Sequence, residues 1–97
     1  IERTVLETVE LHETVKTVLG WAAGREDTLV IVTADHETGG LAVDDCEAKG
    51  SFPAVSWTST DHTHTDVNVY AEGPRSERLA GAIDNTAYFE AVAGGGL

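Results

Sequence analysis

Methionine is missing altogether and cysteine occurs once, at Cys46. A lone thiol excludes a disulfide framework within the chain, so Cys46 is either free or paired with a cysteine outside it. With no Met and with Ile1 in first place, the sequence does not open on a translation start, and a processed protein or a fragment is expected. Basic side chains are scarce: 6 Lys and Arg stand against 17 Asp and Glu, a net charge of −11 over 97 residues. Nucleic acid and anionic membrane surfaces both need clustered Lys and Arg, so neither is expected as a partner. The same charge repels phosphate esters at long range unless a bound cation reverses the local field. Long apolar runs are lacking as well: none approaches the roughly 18–20 residues of a membrane span. No basic-then-apolar targeting pattern opens the chain.

What remains is an ordinary globular composition, 41% hydrophobic and 24% charged, with an acidic bias also common in salt-adapted proteins. A chain of this length makes one domain at most and buries only roughly 60–65% of its unfolded surface, so its core is thin. From Glu2 to Ala23, the residues Leu11, Val15, Val18, Leu19 and Ala22 recur at three- and four-residue steps, with Val5 and Val9 extending the stripe. That period predicts an amphipathic helix, stopped at Gly24. Its threonines and valines lower intrinsic helicity, so packing must hold it. Thr28 to Thr33 is a short apolar run without alternation, the pattern of a strand buried on both faces of a parallel sheet.

Shorter elements follow. Strands are expected at Leu41–Val43 and Ala54–Thr58, with an acidic, then Gly/Ser/Pro-containing loop over Asp44–Pro53. A half-buried strand is expected where Val67, Val69 and Ala71 alternate with polar neighbours. Ser76–Leu79 suits a helical turn, and Asn85 or Thr86 can cap a last helix through Val92. The Gly94-Gly95-Gly96 tail should fray. There is no internal repeat and no sign of a domain boundary.

Two places concentrate metal-ligand side chains. Asp35-His36 directly follows the apolar run, at the strand end where open α/β sheets bind ligands. A carboxylate and an imidazole there suit zinc, which takes O and N donors at about 2.0–2.2 Å; read alone, the pair is more often part of a polar surface loop. Asp61-His62-Thr63-His64 holds a His-x-His spacing that puts two imidazoles on one face of a strand, though composition alone favours a polar loop. Glu37 and Asp66 could orient a ligated imidazole, or be solvated charges. His12 sits among helix residues and has no expected site role.

The full strings narrow these choices. Thr28-Leu29-Val30-Ile31-Val32-Thr33-Ala34-Asp35-His36-Glu37-Thr38-Gly39-Gly40-Leu41 resembles the signature of the alkaline phosphatase family, in which a strand delivers an Asp-His pair to a zinc site. His62-Thr63-His64-Thr65-Asp66-Val67-Asn68-Val69-Tyr70-Ala71-Glu72-Gly73-Pro74 resembles that family's His-Thr-Gly segment and the strand after it. Leu19-Gly20-Trp21-Ala22 and Gly81-Ala82-Ile83-Asp84-Asn85-Thr86 fit in order and spacing. The resemblance covers nearly the whole chain, residues 1–97 corresponding to the C-terminal part of the catalytic domain. It implies an α/β fold: part of an alkaline-phosphatase-like sandwich, with an N-terminal helix, buried sheet strands and short C-terminal helices.

The resemblance further implies phosphate monoesters as substrates and two zinc ions, with a magnesium whose ligands lie outside this chain. Asp35 and His36 are then ligands directed to the second zinc, and His62 to the first. His64 stands where the family usually has Gly. The nucleophilic Ser, the phosphate-gripping Arg and an Asp-x-x-x-His pair have no counterpart here, so no residue is assigned as catalytic. Two metals about 4 Å apart would stabilise both oxygens of an in-line displacement through a phosphoserine, and one would lower the pKa of a bound water. The family is usually a homodimer and periplasmic or secreted. Two other readings keep the Asp-His pair: a phosphodiesterase or sulfatase of the same superfamily, and a non-catalytic acidic metal-binding module. Upstream coding sequence with a Ser nucleophile and an Asp-x-x-x-His pair separates the enzymes from the module.

Overall fold

The first helix, α1, runs from Glu2 to Ala22, within one residue of its expected end. The computed structural model describes residues 1–46 and 48–94. Gly95 and Gly96 of the expected fraying tail lie outside the described residues. Within α1 the threonines turn their hydroxyls back on the helix, Thr8 donating to the Thr4 carbonyl (2.7 Å) and Thr14 to that of Glu10 (3.0 Å). Gly24 takes a left-handed φ of 76°, which lets the chain leave the helix at its C-terminus. There Arg25 lays its guanidinium 4.1 Å from the Trp21 ring centre and donates from Nε to the Trp21 carbonyl (3.1 Å).

The apolar stripe of α1 is only partly covered. Val5, Val15, Leu19 and Ala22 are half-buried, whereas Val9, Leu11 and Val18 are exposed and no residue of the helix is fully buried. Threonine- and valine-rich sequence gains little from propensity, so such a helix depends on whatever covers this stripe.

Described contacts gather into two compact units that interleave along the sequence. One holds Ile1–Thr14 and Ala34–Val67; the other holds Val15–Thr33 and the chain from Asn68 onward. In the second unit, β1 (Val30–Thr33) pairs with β6 (Val69–Glu72). The pairing is antiparallel, Val30 opposite Glu72 and Thr33 opposite Val69. This corrects the parallel, doubly buried strand expected for Thr28–Thr33. A continuous apolar run marks burial but carries no strand direction. Here Val30, Ile31 and Val32 are half-buried, because two strands are too few to enclose one another.

Two short helical elements follow β6, the first packed on β6 and the second on the first. Ser76–Leu79 forms a 3₁₀ turn and Ala87–Val92 the short helix α2, as expected. Leu79 and Ala91 are the buried hydrophobic residues among those described, a thin core for a short chain. Arg75 and Arg78 donate to the carbonyls of Val92 (3.3 Å) and Glu90 (3.4 Å) at the C-terminal end of α2. Cations there oppose the negative end of the helix dipole.

At the other end of α2, Thr86 is the N-cap by position, but its side chain makes no capping bond. Asp84 does that work: its Oδ1 accepts from the Thr86 amide (3.0 Å) and hydroxyl (2.9 Å). The amide bond first, and the hydroxyl second, hold the Asp84 carboxyl below its usual value against the opposing effect of burial. A lowered folded-state pKa makes this contribution fully present above the ordinary carboxyl pKa of about 4. It is lost as the pH falls through the lower, folded value. Amide protection factors over Ala87–Val92 should therefore fall on acidification through that range, and fall less in Asp84→Asn, which keeps the acceptor without the titration. Equal acid sensitivity in both proteins would refute the assignment.

In the first unit two further antiparallel pairs form. β3 (Ala42–Asp45) pairs with β4 (Ala54–Ser56), with an irregularity between Val43 and Asp45. β2 (Glu37–Thr38) pairs with β5 (His62–Thr63), two residues each. The chain is thus a small α/β arrangement of one long helix and short antiparallel strand pairs. No described helix is long and apolar enough to cross a membrane.

Candidate metal centre

Both ligand-rich segments identified in the sequence belong to the first unit and meet at the β2–β5 ladder. Glu37 lies opposite Thr63, and Thr38 opposite His62. Side chains alternate along extended backbone, so the ladder has two dissimilar faces. Thr38 and His62 share one, and His36 joins them through its Nδ1, 3.2 Å from the Thr38 hydroxyl. Glu37 and Thr63 share the other.

On the first face the His36 and His62 rings stack, with centroids 3.4 Å apart and planes inclined by 22°. Asp35 wraps onto its neighbour: Oδ1 accepts from the His36 amide (3.1 Å), and Oδ2 lies 3.3 Å from His36 Nε2. The opposite ring nitrogen, Nδ1, lies 3.2 Å from the Glu37 carbonyl oxygen. In one tautomer Nε2–H donates to Asp35 Oδ2 and Nδ1 accepts from the Thr38 hydroxyl; in the other Nδ1 donates to the Glu37 carbonyl and the Nε2 lone pair faces the carboxylate, one acceptor opposite another. A cation held between them would resolve the opposition. Two donors bound at about 2.0–2.2 Å to one tetrahedral centre stand about 3.3–3.5 Å apart. The Asp35–His36 separation of 3.3 Å suits such a pair, and an Nδ1–H bonded to a backbone carbonyl is a usual support for a metal-ligating imidazole.

His62 is arranged differently. An imidazole lone pair lies in the ring plane, and two nearly parallel rings stacked face to face cannot both aim at one ion. Among the described residues no group of three or more His, Cys, Asp and Glu is disposed to hold a metal by itself. This chain offers two donors at one point and a third beside it.

The ladder is fixed from behind and from its turn. Glu37 accepts from the Gly40 amide through Oε1 (2.8 Å) and from the Thr63 hydroxyl through Oε2. The Thr63 bond is the chief influence holding the Glu37 carboxyl below its usual value, opposed by burial and aided by the Gly40 and Leu41 amides and the charge of His36. Beyond β2, the Gly39 amide donates to the Asp61 carbonyl (3.0 Å), while the Gly39 carbonyl accepts from Thr58 (2.9 Å) and Ser59 (3.0 Å). Gly39 has a φ of +86°, and a Cβ there would come within 2.5 Å of the Trp57 ring. Only glycine permits both that backbone and that approach.

All three expected ligands are therefore neighbours. His64 is exposed beyond β5, and the stacking belongs to His62. Asp66 is exposed too. Glu37 meets the His36 imidazole through its backbone carbonyl, while its carboxylate turns to Thr63. Thr38, Gly39, Trp57 and Thr63 carry the frame and drew no attention in the sequence. The one available signal was Gly39-Gly40, which interrupts a strand-forming segment with residues suited to positive φ.

Comparison with known proteins places the chain in a family. The sequence profile of the alkaline phosphatase family matches residues 43–94. Alkaline phosphatase H of Pseudomonas aeruginosa (strain UCBPP-PA14) is 35% identical over 99 aligned positions, covering 86% of this chain and 21% of that protein. Alkaline phosphatase of Escherichia coli (strain K12) is 31% identical over the same shares. Alkaline phosphatase 3 of Bacillus subtilis (strain 168) is 63% identical over 32 residues, 33% of this chain and 7% of that protein. No solved structure matches significantly. The chain belongs to the alkaline phosphatase family. It spans about a fifth of the length of the first two relatives.

Proposed function

We propose that this chain supplies zinc ligands to a phosphomonoesterase: Asp35 and His36 to one ion and His62 to a second. The observation carrying this reading is the convergence of Asp35-His36 and His62, 26 positions apart in sequence, on one face of a two-residue ladder. Family membership supports phosphate monoesters as the substrate class. The remaining donors of each ion, the magnesium ligands and the serine nucleophile belong to the four-fifths of the relatives' length that this chain does not span. The sandwich expected for the fold, the homodimer and the periplasmic or secreted location belong to the same reading of the whole protein.

In this arrangement the chain's residues position and neutralise, and they transfer no proton. Asp35 would bring a negative charge to a cation site; its Oδ1 is anchored on the His36 amide, and Oδ2, beside His36 Nε2, is the oxygen that would hold a cation. His36 is held by the Glu37 carbonyl at Nδ1, leaving Nε2 as the donor. His62 presents its ring from the facing strand. The bound metals supply Lewis-acid stabilisation of the phosphoryl oxygens and an activated water. They would also reverse, locally, the field of a chain whose net charge is −11.

The test is made on the full-length protein. Chelation should abolish p-nitrophenyl phosphate hydrolysis, and added zinc should restore it. Asp35→Asn should lower zinc content at the affected position and reduce kcat/KM by more than the 10–100-fold that loss of an outer partner costs, roughly a thousandfold. Unchanged zinc stoichiometry and activity in Asp35→Asn would overturn the ligand assignment.

A further inference from the structure

We propose that Glu37 is a positioning residue for the metal centre, its carboxylate clamping the strand behind His36 to the strand that carries His62. The inference rests on the ligand reading above and adds to it the element that sets the distance between the two ligand groups. The β2–β5 ladder is only two residue pairs long. A two-stranded ribbon of that length has too few backbone hydrogen bonds to hold a register by itself. Yet the ladder must keep His36 and His62 in fixed relation, since ligands displaced by a fraction of an ångström bind a rigidly coordinated ion poorly.

Beyond the backbone bonds of Gly39 to Asp61, Thr58 and Ser59, a further constraint lies on the face opposite the imidazoles. Glu37 and Thr63 are direct cross-strand partners, so their side chains meet without either leaving its strand. The Thr63 hydroxyl donates to Glu37 Oε2, and the Gly40 amide donates to Oε1. One carboxylate thus joins β5, β2 and the turn after β2. Both of its partners are donors, so the bonds are charge-assisted and stronger than neutral ones. Glu37 and Thr63 are half-buried, which limits competition from water. The consequence reaches each imidazole through one backbone step. Thr63 directly follows His62, and the Glu37 residue that carries the clamp also offers its carbonyl to His36 Nδ1. Releasing the carboxylate from Thr63 frees the two rings to move relative to one another while each keeps its own local contacts.

The clamp is tested in full-length, zinc-loaded protein by the rate of zinc transfer to a chromogenic chelator, measured beside the unfolding midpoint of the metal-stripped protein. Thr63→Val preserves shape and removes the donor, and should accelerate zinc release about 10–100-fold, the usual cost of an outer partner. Thr63→Ser restores the hydroxyl and should restore the slow rate. Glu37→Ala, which loses the Gly40 bond as well, should be at least as fast as Thr63→Val, and the double variant should be no faster than Glu37→Ala, because the Thr63 bond is already absent there. His36→Ala, run alongside, reports on the ligand reading: if it leaves zinc release unchanged, that reading fails and the clamp fails with it. If His36→Ala accelerates release but Thr63→Val stays within twofold of the parent, the clamp alone is overturned. It is overturned as well if Thr63→Val lowers the metal-free midpoint in proportion to its faster release, because the role is then only structural.

Discussion

Replacing His62 with alanine in the full-length protein should lower phosphomonoester hydrolysis by at least about a hundredfold, more than the loss of an outer-sphere partner; replacing His64 should change it by no more than about threefold, the range of an ordinary surface substitution. The two histidines are separated by one residue and are easily exchanged in a sequence reading. The structure distinguishes them by neighbours. His62 lies in β5 opposite Thr38 and stacks on His36 at 3.4 Å. Its amide is tied to Asp61 Oδ1 (2.8 Å), and Ser59 and Asp61 brace one another through the preceding turn. His64 follows the ladder and is exposed. A zinc that loses one imidazole from its protein ligands loses affinity and geometry together. Steady-state kinetics and zinc content of both variants decide the matter. A larger loss in His64→Ala would move the ligand by two residues and place the wrong imidazole on the functional face.

Legibility of these features in the sequence followed the range of the interactions. α1 was readable because its period repeats over six turns, and Ser76–Leu79 and Ala87–Val92 because local turn and cap residues bound them. Strand direction was not readable, since Val30-Ile31-Val32 is equally apolar in either orientation and the partner lies nearly forty residues away. Solvent cover was misjudged for a related reason. A stripe on α1 states which side is apolar, and it cannot say that Val9 and Leu11 remain exposed at 52% and 55%. The candidate ligands were found through residue type and through the family string. Their frame was hidden because β2 and β5 are two-residue strands without periodicity, made by Glu37, Thr63 and the Gly39 turn acting together. The capping of α2 by Asp84 escaped in a smaller way: position pointed to Thr86, and the hydrogen bonds belong to the aspartate two residues earlier.

The 97-residue chain purified alone, supplied with zinc and magnesium, should give no hydrolysis of p-nitrophenyl phosphate above that of the metals in buffer, a complete loss relative to the full-length protein. Zinc sites that persist have three or four protein ligands or an equivalent set. On the proposed reading Asp35 and His36 would provide two at one position and His62 one at the next, so the ions would exchange freely and seldom occupy both positions together. A nucleophile is lacking as well. Ser56 donates its hydroxyl to Asp44 Oδ1 (3.0 Å), and Ser59 donates to the Asp61 carbonyl (3.2 Å). Ser51 is exposed in the β3–β4 connection, and Ser76 opens the 3₁₀ turn. The exposed Asp44 carboxylate is the one base among these contacts, and among the described residues none of the four hydroxyls is bonded to a histidine or a cationic side chain that would complete an activated nucleophile. An underoccupied centre also leaves the charge of −11 unopposed, which disfavours approach of the ester dianion. Chelator-sensitive turnover that scales with the concentration of the purified chain, and disappears in His62→Ala, would show that these residues assemble a working centre unaided.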